Sequence, residues 1–175
     1  IIITCKHNVT VVHTRSHPPA QVGLFVKRIT KAKFIFDFRG LWVDERVDKG
    51  SWDLNRFFHR LQYKYYKRTE RKLLAQSDHV VVLTNKVVNE VMRLGSIEKS
   101  RITVIPCCAD FKHFPLATNA HKQEARISLG IPSDAFVLGY LGSIGKMYLL
   151  DRFFRLFKLA VNVRKDCHAL LITRD

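Results

Sequence analysis

Apolar residues come along this chain in short compact runs, separated by stretches in which they recur at helical spacing. Val9-Thr10-Val11-Val12-His13 is β-branched and continuous, and predicts a strand. Pro18-Pro19 can open a helix, and Val22, Phe25, Val26 and Ile29 then repeat at the helical period up to Lys31. Lys33 to Phe38 reads as the next strand, ended by Arg39-Gly40. Residues 41–51 are charged and are expected to be irregular, with Gly50 as a breaker. A long helix is predicted from about Asp53 to Gln76. Further strands are expected at His79–Thr84, Arg101–Ile105, Phe136–Leu141 and His168–Thr173, and further helices from Asn85 to Leu94, from Glu124 to Leu129 and from Tyr148 to Val163. The strands are continuous apolar runs and alternate with helices. That pattern predicts an α/β fold, doubly wound, with parallel strands covered on both faces. In such sheets ligands sit beyond the carboxyl ends of the strands, so the informative residues should follow the strands directly.

Composition narrows the picture. At 47% hydrophobic the 175 residues can form a real core. No apolar run approaches the ~20 residues that span a bilayer, and the first residues have neither Met nor a signal-peptide layout, so the chain reads as the middle of something longer. Lys and Arg number 30 against 15 Asp and Glu, a net charge of +15 that draws anionic partners. The four cysteines, Cys5, Cys107, Cys108 and Cys167, show no Cys-x-x-Cys spacing. They read as reduced thiols packed like small apolar groups, in a cytoplasmic chain with no metal site.

Three polar clusters follow strands. Arg15 and Ser16 stand after the first, at a helix start suited to an anion. After the second, Asp37, Arg39, Asp44 and Glu45 surround Gly40 and Trp42, a mixture of donors, acceptors and an apolar platform that suits a binding loop. After the strand ending at Leu141, Gly142-Ser143-Ile144-Gly145-Lys146 allows close approach to a phosphate ahead of a helix. It is neither a dinucleotide fingerprint nor a P-loop.

The long helix carries two stripes. Leu54, Phe57, Phe58, Leu61 and Tyr65 share one face and are expected to be core. Arg56, Arg60, Lys64, Lys67 and Arg71 share another, with Trp52, Tyr63 and Tyr66 outside the apolar arc as candidate interfacial aromatics. The basic stripe reads in three ways: a face toward an anionic leaflet, a nucleic-acid contact or a solvated surface.

Together these stretches resemble the family 4 glycosyltransferases, which have the GT-B architecture of two facing Rossmann-like domains. The resemblance rests on Val11-Val12-His13-Thr14-Arg15-Ser16, on Asp37-x-Arg39-Gly40-x-Trp42-x-Asp44-Glu45, on Val104-Ile105-Pro106-Cys107-Cys108-Ala109-Asp110 with Phe114, on Arg126-x-x-Leu129-Gly130-Ile131, and on Tyr140-Leu141-Gly142-Ser143-Ile144-Gly145. It implies two incomplete domains: 1–108 from the acceptor-binding domain, a linker over 109–121 anchored by Phe114, and 122–175 from the start of the nucleotide-sugar domain. It implies transfer of a sugar from a nucleotide-sugar co-substrate to a hydroxyl acceptor, with retained anomeric configuration and no metal, on glycan or lipid-linked acceptors at the cytosolic membrane face. Arg39 and then Arg15 would be the catalytic charges. Asp37, Trp42 and Ser16 would bind acceptor, and Asp44 and Glu45 would either receive acceptor hydroxyls or order the loop. Gly142, Ser143 and Lys146 would face the donor diphosphate. Arg15 stands where many relatives have the second His of a His-x-His, Cys107-Cys108 replaces the familiar Asn-Gly, and Ser143 replaces an Arg. The resemblance also implies that the later half of the donor domain lies outside these residues, so the 175 residues alone are expected to be inactive. The alternative reading is a non-catalytic basic α/β module that binds nucleic acid or another polyanion, which would bind in a salt-sensitive way and ignore nucleotide sugars. No recognisable nucleic-acid motif supports it.

Overall fold

The computed structural model describes residues 7–145 and 148–174. Lys146 therefore lies outside the described residues. The chain divides into two compact units, Ile1–Cys108 and Ala109–Asp175.

The first unit is built on four parallel strands, β1 (Val11–Arg15), β2 (Lys33–Phe38), β3 (His79–Val82) and β4 (Ile102–Val104), side by side in that order. Register is set by alternation along β2: Phe34, Phe36 and Phe38 turn to one face and are buried, with Phe36 opposite Val80 and Phe38 opposite Val82. Four helices belong to this unit: α1 (His17–Ile29), α2 (Trp42–Asp48), α3 (Phe57–Gln76) and α4 (Val88–Gly95). Ala20 and Leu24 of α1, Leu73 and Leu74 of α3, and Val88, Val91 and Leu94 of α4 close over the phenylalanines as one core. The apolar and uncharged side chains of opposite parity, among them Val11, His13, Ile35, Val81 and Thr103, are exposed or half-buried, while Asp37 on that face is buried. Among the described residues, then, the parallel sheet carries this core on one face.

Two predicted boundaries move. The segment expected to be irregular contains α2. Its first turn holds Asp44 and Glu45, which favour the positive end of the helix dipole, and Val43 anchors it in the interior. The long helix begins at Phe57 rather than Asp53, because Asp53 folds back in a turn. Its side chain accepts the Asn55 N–H at 3.0 Å, and its own N–H donates to His59 Nδ1 at 3.0 Å.

The facing of α3 is the reverse of the expected one. Leu54, Phe57, Phe58, Leu61 and Tyr65, read as core, are all exposed, Phe58 to 79%. The face toward the sheet carries Tyr63, Tyr66, Lys67, Glu70, Leu73 and Leu74 instead. Trp52, read as interfacial, is buried and stacks on Tyr66 with ring centroids 5.5 Å apart. The reason is the aromatic group that the preceding segment brings over the helix: Trp42 meets both Trp52 and Tyr66 edge-on, at 5.8 and 5.3 Å.

The carboxyl end of α3 is closed by cations. Lys27 Nζ donates to the Gln76 carbonyl at 2.8 Å, and Arg101 donates to the carbonyls of Ala75 and Ser77. These contacts satisfy carbonyls that the helix end leaves without partners. Asp78 ties the same corner together, accepting the Phe34 N–H at 2.8 Å and pairing with Lys27 at 2.8 Å. Burial pushes the Asp78 carboxyl up, but Lys27, the Phe34 N–H and Lys33 outweigh it and hold it below the usual carboxylate range. A carboxylate depressed in the folded state stabilises above its unfolded value and loses that contribution as pH falls through the folded one. Acid titration is therefore expected to lower the melting temperature below about pH 4, and Asp78→Asn should flatten that limb of a pH–melting curve.

The second unit holds β5 (Phe136–Leu141) paired in parallel with β6 (Cys167–Ile172), and two helices, α5 (Asn119–Ser128) and α6 (Leu150–Val163). α5 starts five residues before the predicted Glu124, because Thr118 caps it: the Thr118 hydroxyl accepts the His121 N–H, and His121 Nδ1 accepts the Thr118 N–H. Phe114, expected as an anchor of the linker, is exposed, and its ring meets the neighbouring His113 ring edge-on. Cys107 and Cys108 are exposed thiols rather than packed ones, and Cys167 is half-buried.

Candidate functional site

The site forms where β1 and β2 end together. Their register sets Arg15 opposite Asp37, and the Ser16 N–H then donates to the Asp37 carbonyl at 3.0 Å, keeping the two chain ends side by side. Ser16 has φ 69°, a conformation that costs a non-glycine residue energy and is held by this bond and by the helix that follows. Across from it, Gly40 has φ 154°, and a Cβ there would lie 2.6 Å from Glu45 Oε1. Only glycine fits that turn with Glu45 in place. Ser16, His17, Arg39, Gly40, Trp42 and Glu45 enclose a pocket of about 150 Å³.

Its charges are organised around Asp37, whose side chain is 5% exposed. Arg39 Nε–H donates to Asp37 Oδ2 at 2.9 Å, and His13 Nε2 lies 3.9 Å from the same oxygen. Asp37 Oδ1 is buried and has no hydrogen-bond partner among the described residues. A buried carboxylate oxygen in that state is costly, and a ligand hydroxyl would satisfy it.

Beneath the pocket runs a buried chain of polar contacts. His17 stacks on Trp42 at 5.5 Å and pairs through Nε2 with Glu70 Oε2 at 2.8 Å. Lys67 Nζ donates to Glu70 Oε1 at 2.6 Å and to Asp44 Oδ2 at 2.9 Å, and the Tyr63 hydroxyl donates to Asp44 Oδ1 at 2.7 Å. Burial pushes the Asp44 carboxyl up, but Lys67 and Tyr63 hold it below its ordinary value. Burial opposes the Lys67 charge as well, and Glu70 and Asp44 more than offset it, so the ammonium is held above its ordinary range. The Tyr63 hydroxyl is raised by burial and by Asp44. The network fixes the orientation of His17 and α2, and so of Trp42 and Glu45.

The structure thus gathers Ser16, Arg39, Trp42 and Glu45 in one pocket, with Asp37 holding Arg39. Arg15 is exposed at the end of β1. Asp44 lies on the side of α2 that meets α3, with both carboxylate oxygens bonded there. Lys67 is corrected: its side chain is only 15% exposed and doubly paired, so it leaves the outward basic stripe, while Arg56, Arg60, Lys64 and Arg71 are exposed. In the second unit Gly142 has φ 158°, and a Cβ would lie 2.8 Å from the Tyr148 ring. The Ser143 carbonyl accepts the Tyr140 hydroxyl at 2.8 Å, which pins the turn. His17 and Glu70 were missed from sequence. Glu70 had a signal: it is the single acid in a helix that otherwise carries only cations, and such an isolated charge is a candidate for burial with a partner.

Residues 4–113 match the Glycosyltransferase Family 4 profile. The chain belongs to glycosyltransferase family 4. Over 78 residues it is 31% identical to the D-inositol 3-phosphate glycosyltransferase of Corynebacterium urealyticum, an alignment that takes in 45% of this chain and 18% of that protein. The fold of this family 4 chain matches that of Anabaena HepE, solved with UDP and glucose, at a TM-score of 0.64 and 12% identity over 97% of the chain. It also matches a glycosyltransferase from Rickettsia africae at a TM-score of 0.57 and 17% identity over 99% of the chain. The chain spans 41% of the HepE structure and 49% of the Rickettsia one. These likenesses identify its parallel α/β units as those of the GT-B architecture.

Proposed function

We propose that the chain is part of an enzyme that moves a sugar from a nucleotide-sugar donor to a hydroxyl acceptor, with retained configuration and without a metal, in building a lipid-linked or surface glycan on the cytosolic side of a membrane. The observation that carries this reading is the pairing of a fixed guanidinium with a partnerless buried carboxylate oxygen at the carboxyl end of a parallel sheet. Arg39, oriented by Asp37, supplies positive charge toward a departing diphosphate, and Arg15 adds to it. Asp37 Oδ1, buried next to the pocket that Ser16, Trp42 and Glu45 line, accepts an acceptor hydroxyl. The acceptor oxygen bonds to the anomeric carbon on the face from which the diphosphate oxygen departs, the acceptor's proton passes to that departing diphosphate oxygen, and the protein contributes position and field. Gly142 and Ser143 approach the diphosphate. UDP-glucose is the first donor to test, because HepE has been solved with it. The 175 residues alone are proposed to be inactive, since among the described residues the second unit brings a sheet of two strands and an α6 whose Leu156, Leu159 and Val163 are exposed.

The test is thermal unfolding of the longer polypeptide that carries this chain, with UDP-glucose, other nucleotide sugars and an oligonucleotide. A nucleotide sugar at a hundred times its Kd should stabilise by about 2.7 kcal/mol, and the oligonucleotide should not. Protection by the oligonucleotide alone would replace this reading with the basic polyanion-binding module.

A further inference from the structure

The segment that leaves β4 carries two adjacent cysteines, Cys107 and Cys108, and both are free, exposed thiols. Exposed thiols contribute nothing to a core and stand within reach of small oxidants. The backbone around them is also uncommitted. The last sheet bond is the Ile105 N–H on the Val82 carbonyl at 2.8 Å, and the next ordered turn begins at Asp110, whose carbonyl accepts the His113 and Phe114 N–H groups. Between these points Pro106 has no N–H, and Cys107, Cys108 and Ala109 make no backbone hydrogen bond among the described residues. Closing a ring here therefore breaks no existing bond. The position matters as well: Cys108 is the last residue of the first unit and Ala109 the first of the second.

A metal site is the first alternative, since Asp110 and His113 follow in the same segment. Among the described residues, however, no group of three His, Cys, Asp or Glu side chains converges as a closed metal site needs. Two neighbouring sulfurs without further ligands suit a different chemistry. We propose that Cys107 and Cys108 are a thiol modification site that closes into a vicinal disulfide when a low-molecular-weight disulfide, such as oxidised glutathione, oxidises it. One cysteine thiolate attacks a sulfur of the small disulfide and expels one small thiol, leaving a mixed disulfide. The second thiolate attacks the cysteine sulfur of that mixed disulfide and expels the other small thiol. Two protein thiols are oxidised, the small disulfide is reduced to two thiols, and the two protons end on them. The bond is strained from the outset. Neighbouring Cα atoms lie about 3.8 Å apart, closer than the roughly 4.4 Å at which ordinary disulfides begin. A strained, exposed disulfide is easily reduced, so this one follows the thiol balance around it instead of stapling the fold. Its ring fixes the torsions of the last two residues before the second unit. The inference does not depend on the transferase reading, and its test involves no turnover.

The experiment equilibrates the longer polypeptide that carries this chain in glutathione buffers, quenches it with an alkylating reagent and maps its tryptic peptides by mass. Residues 102–112 form one tryptic peptide that holds Cys107 and Cys108 and no other cysteine. In excess oxidised glutathione this peptide should be unalkylated and lighter by two hydrogens than its reduced form, and dithiothreitol should reverse the change. Ring closure releases two glutathione molecules. A tenfold rise in reduced glutathione, at fixed oxidised glutathione, should therefore lower the ratio of closed to open peptide about a hundredfold. A persistent glutathione adduct releases one and would fall about tenfold. Cys108→Ser should abolish closure and leave the adduct alone. An adduct with tenfold dependence in the unsubstituted protein overturns the proposal. So do a disulfide joining this peptide to another cysteine, and thiols that stay fully alkylatable in excess oxidised glutathione. The mass map of the unsubstituted protein decides between these outcomes even if the serine variant fails to fold.

Discussion

Arg39→Ala is expected to lower the kcat for sugar transfer by about 10²–10³-fold in the full-length enzyme, with a smaller change in donor KM. The expectation follows from how the guanidinium is held. Its Nε–H is fixed by a carboxylate that is itself almost wholly buried, so the charge is positioned before the reaction begins. A charge that needs no reorganisation is worth most where negative charge develops, which is the departing diphosphate under the proposed chemistry. Arg39→Lys keeps a positive charge but loses the planar fork and its single orientation, and should fall between wild type and alanine. Alanine also leaves the Asp37 carboxylate without its guanidinium partner and with the His13 ring 3.9 Å away, so some stability is lost, about 1–3 kcal/mol for a buried group deprived of its partner. The assay therefore has to run well below the variant's melting temperature. Turnover of Arg39→Ala within twofold of wild type would remove Arg39 from the chemistry and leave it as a tether for Asp37.

The largest expected effect on stability comes from Glu70→Ala. Glu70 is fully buried and holds two partners, the Lys67 ammonium at 2.6 Å and the His17 ring at 2.8 Å. Removing it leaves the Lys67 ammonium, 15% exposed, with Asp44 alone, and leaves His17 with an unpaired nitrogen in the core. Breaking a buried pair from one side costs about 3–5 kcal/mol, which corresponds to a fall of about 6–20 °C in melting temperature for a chain of this size. Glu90→Ala is the matched control. Its partner Arg93 sits three residues away on an exposed face, so that variant should melt with the wild type. The same Glu70 change should loosen Trp42, because His17 stacks on it, and near-ultraviolet circular dichroism reads that loss separately from the melting curve. A Glu70→Ala protein that melts with wild type would show that the network is not what positions α2.

Much of this arrangement was legible before any coordinates. Phe34-Ile35-Phe36-Asp37-Phe38 and His79-Val80-Val81-Val82 are runs whose apolar density and flanking breakers are local properties, so strands, order and parallel class could be read along the chain. Asp37, Arg39, Gly40, Trp42 and Glu45 drew notice because mixed polar chemistry around a glycine after a strand is also local. The helix over Trp42–Asp48 escaped, since its seven residues carry too few apolar positions to show a period. His17 escaped because its partner Glu70 is 53 residues away, and no spacing rule connects them.

The sequence by itself determined that α3 is a helix with an apolar arc and a basic arc, because both recur at its period. Which arc faces inward was decided only in three dimensions. Either arc could have met the sheet. The outcome turned on Trp42 and Trp52 closing over Tyr66 and on Glu70 meeting His17 in the interior, contacts between residues far apart in the chain, with Lys67 joining Glu70 from the same helix. A buried aromatic cluster with a fully paired charge network outweighed the apolar stripe of Phe57, Phe58, Leu61 and Tyr65, and left it facing outward.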